Sequence, residues 1–136
     1  MRKLMGRATA AALLSAASVA GVVLAPGTAE AASYNSACGS GYREIDHLTL
    51  NGYGTVFLTY SSSTGKNCVV TVRNQPGAAL YMNALVRLAG SADWIGDYDY
   101  YTTYAGPVYV SAAGRCIDWG GEIETAYEYR LSVHCG

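Results

Sequence analysis

Between Thr55 and Tyr60 the side chains alternate, with Val56, Leu58 and Tyr60 on one face. The pattern repeats after a polar stretch, where Cys68, Val70 and Val72 share a face and Arg73 turns to the other. A period of two marks a strand, because successive side chains point to opposite sides of a sheet. Ser61–Asn67 is polar and contains a Gly, so the two runs read as a β-hairpin around it. Leu80–Leu88 alternates as well, with Met82, Ala84, Val86 and Leu88 on one side and Tyr81, Asn83, Leu85 and Arg87 on the other. Leu, Met and Ala also favour helix, and the preceding Gln75-Pro76-Gly77 fits either state. We read this segment as a strand on its alternation.

Val108–Val110 and Cys116–Trp119 flank Ser111–Arg115 and predict a second hairpin. Tyr42–Leu50 supplies an early strand, and the chain from Ile123 leads to a final one around Tyr129–Val133. About seven to eight short strands, with turns every 8–12 residues or so, predict an all-β fold: a small antiparallel β-sandwich or barrel. Gly54–Thr59 (GTVFLT) and Gly106–Ser111 (GPVYVS) echo each other, and each precedes a Gly-containing turn, a basic residue and a Cys. An old duplication and convergent hairpins both account for such an echo.

The first residues follow a different pattern. Arg2, Lys3 and Arg7 precede an uncharged, Ala-rich stretch from Ala8 to Ala25, which Pro26 and Gly27 break before Ala29-Glu30-Ala31. That order is a secretory signal peptide over residues 1–31, cut after Ala31. The stretch is almost long enough to span a bilayer, but its mild hydrophobicity and the cleavage pattern argue against an anchor. No Arg-Arg pair is present, and Cys38 follows Asn35 at the position where a lipid-anchored Cys has an apolar residue. The expected product is one secreted, soluble β-domain, residues 32–136, free of the membrane after cleavage.

Composition narrows the function classes. The 136 residues carry a formal charge of −1, and removing Arg2, Lys3, Arg7 and Glu30 leaves six basic and nine acidic groups, a net −3. Without clustered positive charge the chain is a poor match for nucleic acid, and its length excludes a multi-domain enzyme. A domain this small buries only about two-thirds of its unfolded surface, so crosslinks would help it.

Cys38, Cys68, Cys116 and Cys135 are four thiols in a short exported chain, which reads as two disulfides. A zinc site needs closely paired ligands, and these spacings of 30, 48 and 19 residues do not provide them. Of three possible connectivities we favour Cys38–Cys68 with Cys116–Cys135. Both loops are then local and each ties a chain end to an inner strand.

Candidate chemistry is sparse. A Ser-His-Asp triad has only His47 and His134 to draw on, and no G-x-S-x-G elbow occurs. Both His read as ordinary strand or surface positions. The acidic groups Asp93, Asp97 and Asp99, or Asp118, Glu122 and Glu124, offer carboxylate pairs for glycoside hydrolysis, but the domain has little material for a deep cleft. No catalytic residue, metal site or cofactor is expected. The most distinctive stretch is Asp93–Tyr104 (DWIGDYDYYTTY). Trp94, Tyr98, Tyr100, Tyr101 and Tyr104 form a candidate binding surface, since Tyr and Trp give rigid amphipathic contact. The plainer reading is that these rings cover the edge of a thin core. Calcium binding through Asp97 and Asp99 does not match an EF-hand spacing. Trp119, just past Cys116, reads as core.

Several stretches together resemble the spore-associated protein A family of Streptomyces and related actinobacteria. They are Tyr34–Tyr42 (YNSACGSGY), Gly54–Tyr60 (GTVFLTY), Asn67–Thr71 (NCVVT), Thr102–Tyr109 (TTYAGPVY), Cys116–Trp119 (CIDW) and His134–Gly136 (HCG). They run across nearly the whole mature chain, with Gly77–Tyr101 the least alike. The resemblance implies a small exported protein of the spore or aerial-hypha surface and brings no catalytic residues with it. The expected function is therefore a secreted, non-enzymatic spore- or cell-surface-associated protein. Its partners would be spore-coat or cell-wall components, a glycan or a secreted protein among them. A second reading is a secreted binding module or hydrolase inhibitor acting through Tyr98–Tyr104. A third is a small hydrolase dependent on His47 or His134.

Overall fold

Among the described residues, eight strands alternate with short turns: β1 (Arg43–Leu50), β2 (Gly54–Ser61), β3 (Lys66–Arg73), β4 (Leu80–Leu88), β5 (Ile95–Tyr101), β6 (Tyr104–Ser111), β7 (Ile117–Ile123) and β8 (Ala126–Val133). The computed structural model describes residues 30–136 and Gly21. Apart from Gly21, Glu30 and Ala31, the expected signal peptide lies outside the described residues. Among the described residues, no helix is long and apolar enough to cross a membrane.

The strands form two four-stranded sheets, the first in the order β1-β2-β3-β6 and the second β5-β4-β7-β8. All neighbours are antiparallel. This is a β-sandwich of eight strands, within the fold class that the alternation predicts. Leu48, Leu50, Val56, Leu58 and Val69 of the first sheet pack against Met82, Ala84, Val86, Ile117, Trp119 and Ile123 of the second. Met82, Ala84 and Val86 thus share the buried face that their period of two assigns to them. A buried hydroxyl joins the layers where Thr71 Oγ1 donates to the Asn83 carbonyl at 2.8 Å.

On β3 the alternation separates two cores. Val69 faces the inter-sheet core, while Cys68, Val70 and Val72 face outward. Outward is not solvent here, because Tyr34, Ala37, Cys38 and Tyr42 of the N-terminal segment lie over that face. The segment is held by the Cys38–Cys68 disulfide, with the Cα atoms 6.1 Å apart. It is held as well by the Tyr109 hydroxyl donating to the Cys38 carbonyl and by the Ala32 N–H donating to Asn74 Oδ1. A second disulfide, Cys116–Cys135, joins the entrance of β7 to the chain beyond β8. Both crosslinks tie a flanking segment to a strand inside a sheet, since β3 and β7 each have two neighbours.

One expected pairing is wrong. Val108–Val110 and Cys116–Trp119 do not form a hairpin. β6 pairs with β3, with Val69 opposite Val108 and Cys68 opposite Tyr109, and β7 pairs with β4 and β8. The chain from Ala112 to Cys116 arches from the first sheet to the second. Ala112 is buried in the core, its N–H donates to the Gly65 carbonyl, and the Arg115 N–H donates to the Ala112 carbonyl. A polar turn between two alternating runs serves an arch as well as a hairpin, and here the free edge of β3 captures β6. The echo between Gly54–Thr59 and Gly106–Ser111 therefore stops at the turn. β2 and β6 flank β3 on its two sides, and the strands that follow them pair differently.

Candidate binding surface

The two sheets present unlike outer faces. That of the first is roofed by the N-terminal segment. That of the second carries Tyr81, Asn83, Leu85 and Arg87 from β4, Gly96, Tyr98 and Tyr100 from β5, Gly120 and Glu122 from β7, and Tyr127 and Tyr129 from β8. Register places them in cross-strand rows. Tyr100 lies opposite Tyr81, and their rings stand 6.0 Å apart edge to face. Tyr98, Asn83, Glu122 and Tyr127 form the next row across all four strands. Gly96, Leu85, Gly120 and Tyr129 form the third. A Cβ at Gly120 would collide with the Tyr129 ring, and one at Gly96 with Leu85. These two glycines let large side chains lie flat across the sheet.

Tyr98 and Tyr100 are 67% exposed and Tyr127 is 64% exposed. Trp94, just before β5, lies beneath the Arg87 guanidinium, 4.2 Å from the ring centroid, and 6.2 Å from the Tyr129 ring. Arg87 in turn donates from Nε to Asp118 Oδ2 at 2.8 Å, and Asp118 Oδ1 accepts the Ser132 N–H. Burial pushes the Asp118 carboxyl up, but the Ser132 N–H and the Arg87 charge outweigh it and hold the carboxyl below its usual range. Burial and the neighbouring Glu122 carboxylate push the Tyr129 phenol up, so it stays protonated and able to donate.

Of the residues singled out from sequence, Trp94, Tyr98 and Tyr100 are brought together on this face. Tyr101 and Tyr104 are not. Tyr101 points to the opposite side of β5, packs against the core, and donates its hydroxyl to Asp97 Oδ1. Tyr104 sits opposite Val72 on the outer side of the first sheet. Sequence neighbours two apart share a face, but Tyr101 breaks the parity of Tyr98 and Tyr100, and Tyr104 lies beyond the turn into the other sheet. Tyr81, Asn83, Glu122, Tyr127 and Tyr129 complete the surface and were not singled out. The signal was present in part, since Tyr127 and Tyr129 are two apart, as are Tyr81 and Asn83. Only the strand order puts β8, β7, β4 and β5 side by side.

The remaining candidates are engaged elsewhere. Asp97 also accepts the Gly106 N–H at 2.7 Å, so one oxygen holds Tyr101 within β5 and the other ties β5 to β6. His47 Nδ1 meets Glu44 and His134 Nε2 meets Asp46, each at 2.9 Å. Among the described residues, no group of three or more His, Cys, Asp or Glu is arranged to hold a metal ion.

The Tyr101–Asp97 contact makes a prediction. The hydrogen bond to Asp97, with burial adding to it, pushes the Tyr101 phenol up to about 12. A raised phenol favours the folded state fully below the unfolded value near 10, and that stability is lost as pH climbs through about 12. Tyr101→Phe should destabilise the domain by about 1.5–3 kcal/mol at pH 7, the value of a hydrogen bond to a charged acceptor. It should also flatten the fall in melting temperature between about pH 10 and 12. Parallel thermal melts of the two proteins check this, and coincident alkaline slopes would refute it.

No family model matches the chain, and no solved structure gives a significant match. Among curated proteins, the chain is 47% identical over 130 residues to Spore-associated protein A of Streptomyces coelicolor. The match covers 95% of this chain and 82% of that protein.

Proposed function

The chain belongs to the spore-associated protein A family, and from that premise we propose that it is a secreted, non-enzymatic protein of the spore or cell surface, attached through the aromatic outer face of its second sheet. The observation that carries this reading is the contrast between the two outer faces. An antiparallel sheet can leave one face in water, and that face is then ordinarily polar. Here it holds Tyr98, Tyr100 and Tyr127, each about two-thirds exposed, beside Trp94 and Tyr129. An exposed aromatic face of this kind marks an interaction site. The disulfides fit an oxidising compartment outside the cytoplasm.

Fractionation tests the reading. Spores, hyphae and medium are separated, and the protein in each is measured before and after washes with salt and with detergent. Retention on spores or hyphae through the salt wash, with release by detergent, is expected. Recovery only in the medium would overturn the proposal.

A further inference from the structure

We propose that the outer face of the second sheet is a carbohydrate platform that takes an extended, uncharged or N-acetylated polysaccharide. This names the ligand of the face on which surface attachment rests, and so depends on that reading. The row Tyr98–Asn83–Glu122–Tyr127 crosses four strands. At about 4.8 Å per strand its ends lie roughly 14 Å apart, longer than one sugar ring. An exposed ring stands at each end and a polar pair fills the middle. Asn83 Nδ2 donates to Glu122 Oε2 at 3.0 Å, which fixes the amide with Oδ1 away from that carboxylate. Asn83 is only 4% exposed, and its Oδ1 has no hydrogen-bond partner. A buried acceptor without a donor is costly and demands an explanation. The Tyr129 phenol lies within hydrogen-bonding reach of the Asn83 side chain, so Tyr129 belongs to the polar centre of the face.

A pyranose matches this order of groups. Its C–H face is apolar and stacks on aromatic rings, and its equatorial hydroxyls donate sideways to acceptors. Along the row, two rings bracket a central pair of acceptors, so stacking at the ends can accompany hydroxyl donation in the middle. A protein partner fits less well, because the centre of a protein interface is depleted of charge and burying the half-exposed Glu122 there would go uncompensated. A phosphate-bearing polymer is repelled by Glu122 and Glu124 and by the −3 charge of residues 32–136.

The test is co-sedimentation of the disulfide-intact mature chain with insoluble chitin, cellulose and purified peptidoglycan, in parallel with whole spores. At least one polysaccharide should retain the protein, and retention should persist in about 1 M salt, where screening acts within roughly 3 Å. Tyr98→Ala combined with Tyr127→Ala should weaken retention about tenfold or more. Glu122→Gln should weaken it as well. Tyr98 and Tyr127 are exposed, so unchanged melting temperatures confirm that folding is intact. If no polysaccharide retains the protein while spores still do, the glycan assignment falls and surface attachment stands. If polysaccharide retention ignores the Tyr pair, the assignment of the face falls. If neither spores nor polysaccharides retain it, both readings fall.

Discussion

Replacing Cys38 and Cys68 together with Ala should lower the stability of the oxidised protein by about 3–4 kcal/mol, the loop-closure value for a crosslink of this span. That is a large part of the roughly 5–15 kcal/mol that holds a small domain together. Two effects add. The unfolded chain gains freedom, and the folded chain loses the clamp that keeps Tyr34, Ala37 and Tyr42 on the outer face of the first sheet. Tyr109 would keep its hydrogen bond to the Cys38 carbonyl only while that segment stays in place. Urea unfolding should show a lower midpoint, and limited proteolysis should cut within residues 32–42 before the strands. The Cys116–Cys135 crosslink closes a shorter loop and holds a segment already exposed at Cys135, so replacing both with Ala should have a smaller effect. Equal midpoints for wild type and the Cys38/Cys68 variant would refute the clamp.

Arg87→Ala should be comparably damaging, about 3–5 kcal/mol at pH 7, because it strands a buried carboxylate. Asp118 is 3% exposed and its Oδ2 has the Arg87 guanidinium as its charged partner. The sign with pH follows. In the wild type the depressed Asp118 stabilises the fold above the unfolded value near 4, and that contribution is lost as pH falls through the lower folded value. In the variant, burial without Arg87 raises the folded value, so protonation relieves the penalty. The gap between the two proteins should therefore narrow below about pH 4. Thermal melts at pH 7 and pH 3 measure it, and a gap that stays constant would contradict the pairing. Trp94 loses its covering guanidinium in the same variant, so its fluorescence should shift. Asp118→Asn should cost less, because Arg87 is partly exposed and can turn to water.

Much of the strand content was legible because alternation reports burial directly. Met82, Ala84 and Val86 settled β4 as a strand against its helix-favouring composition, and the Ser61–Asn67 turn marked the β2–β3 hairpin. What alternation does not encode is partner choice. Val108–Val110 and Cys116–Trp119 carry the same local signal as a hairpin, yet the edge of β3 competes for β6 and wins, and the arch through Ala112 is the result. The same gap hid half of the aromatic face. Tyr98 and Tyr100 announced themselves by proximity in the chain. Tyr127, Tyr129 and Tyr81 reach them only through the order β5-β4-β7-β8, and Asn83 drew no notice as a polar residue in an apolar run. Grouping Tyr101 and Tyr104 with them treated a sequence cluster as a spatial one, which strand parity and the crossing into the other sheet both undo.

The N-terminal strap over one sheet gives the molecule a heads and a tails. If attachment runs through the aromatic face as proposed, the molecule has one adhesive side and settles on a substrate one way up. Every attached copy would then turn its strapped side, with the Cys38–Cys68 crosslink, toward the surroundings. A coat assembled from such units would have a uniform exterior whose chemistry is that of Tyr34–Tyr42, whatever lies underneath.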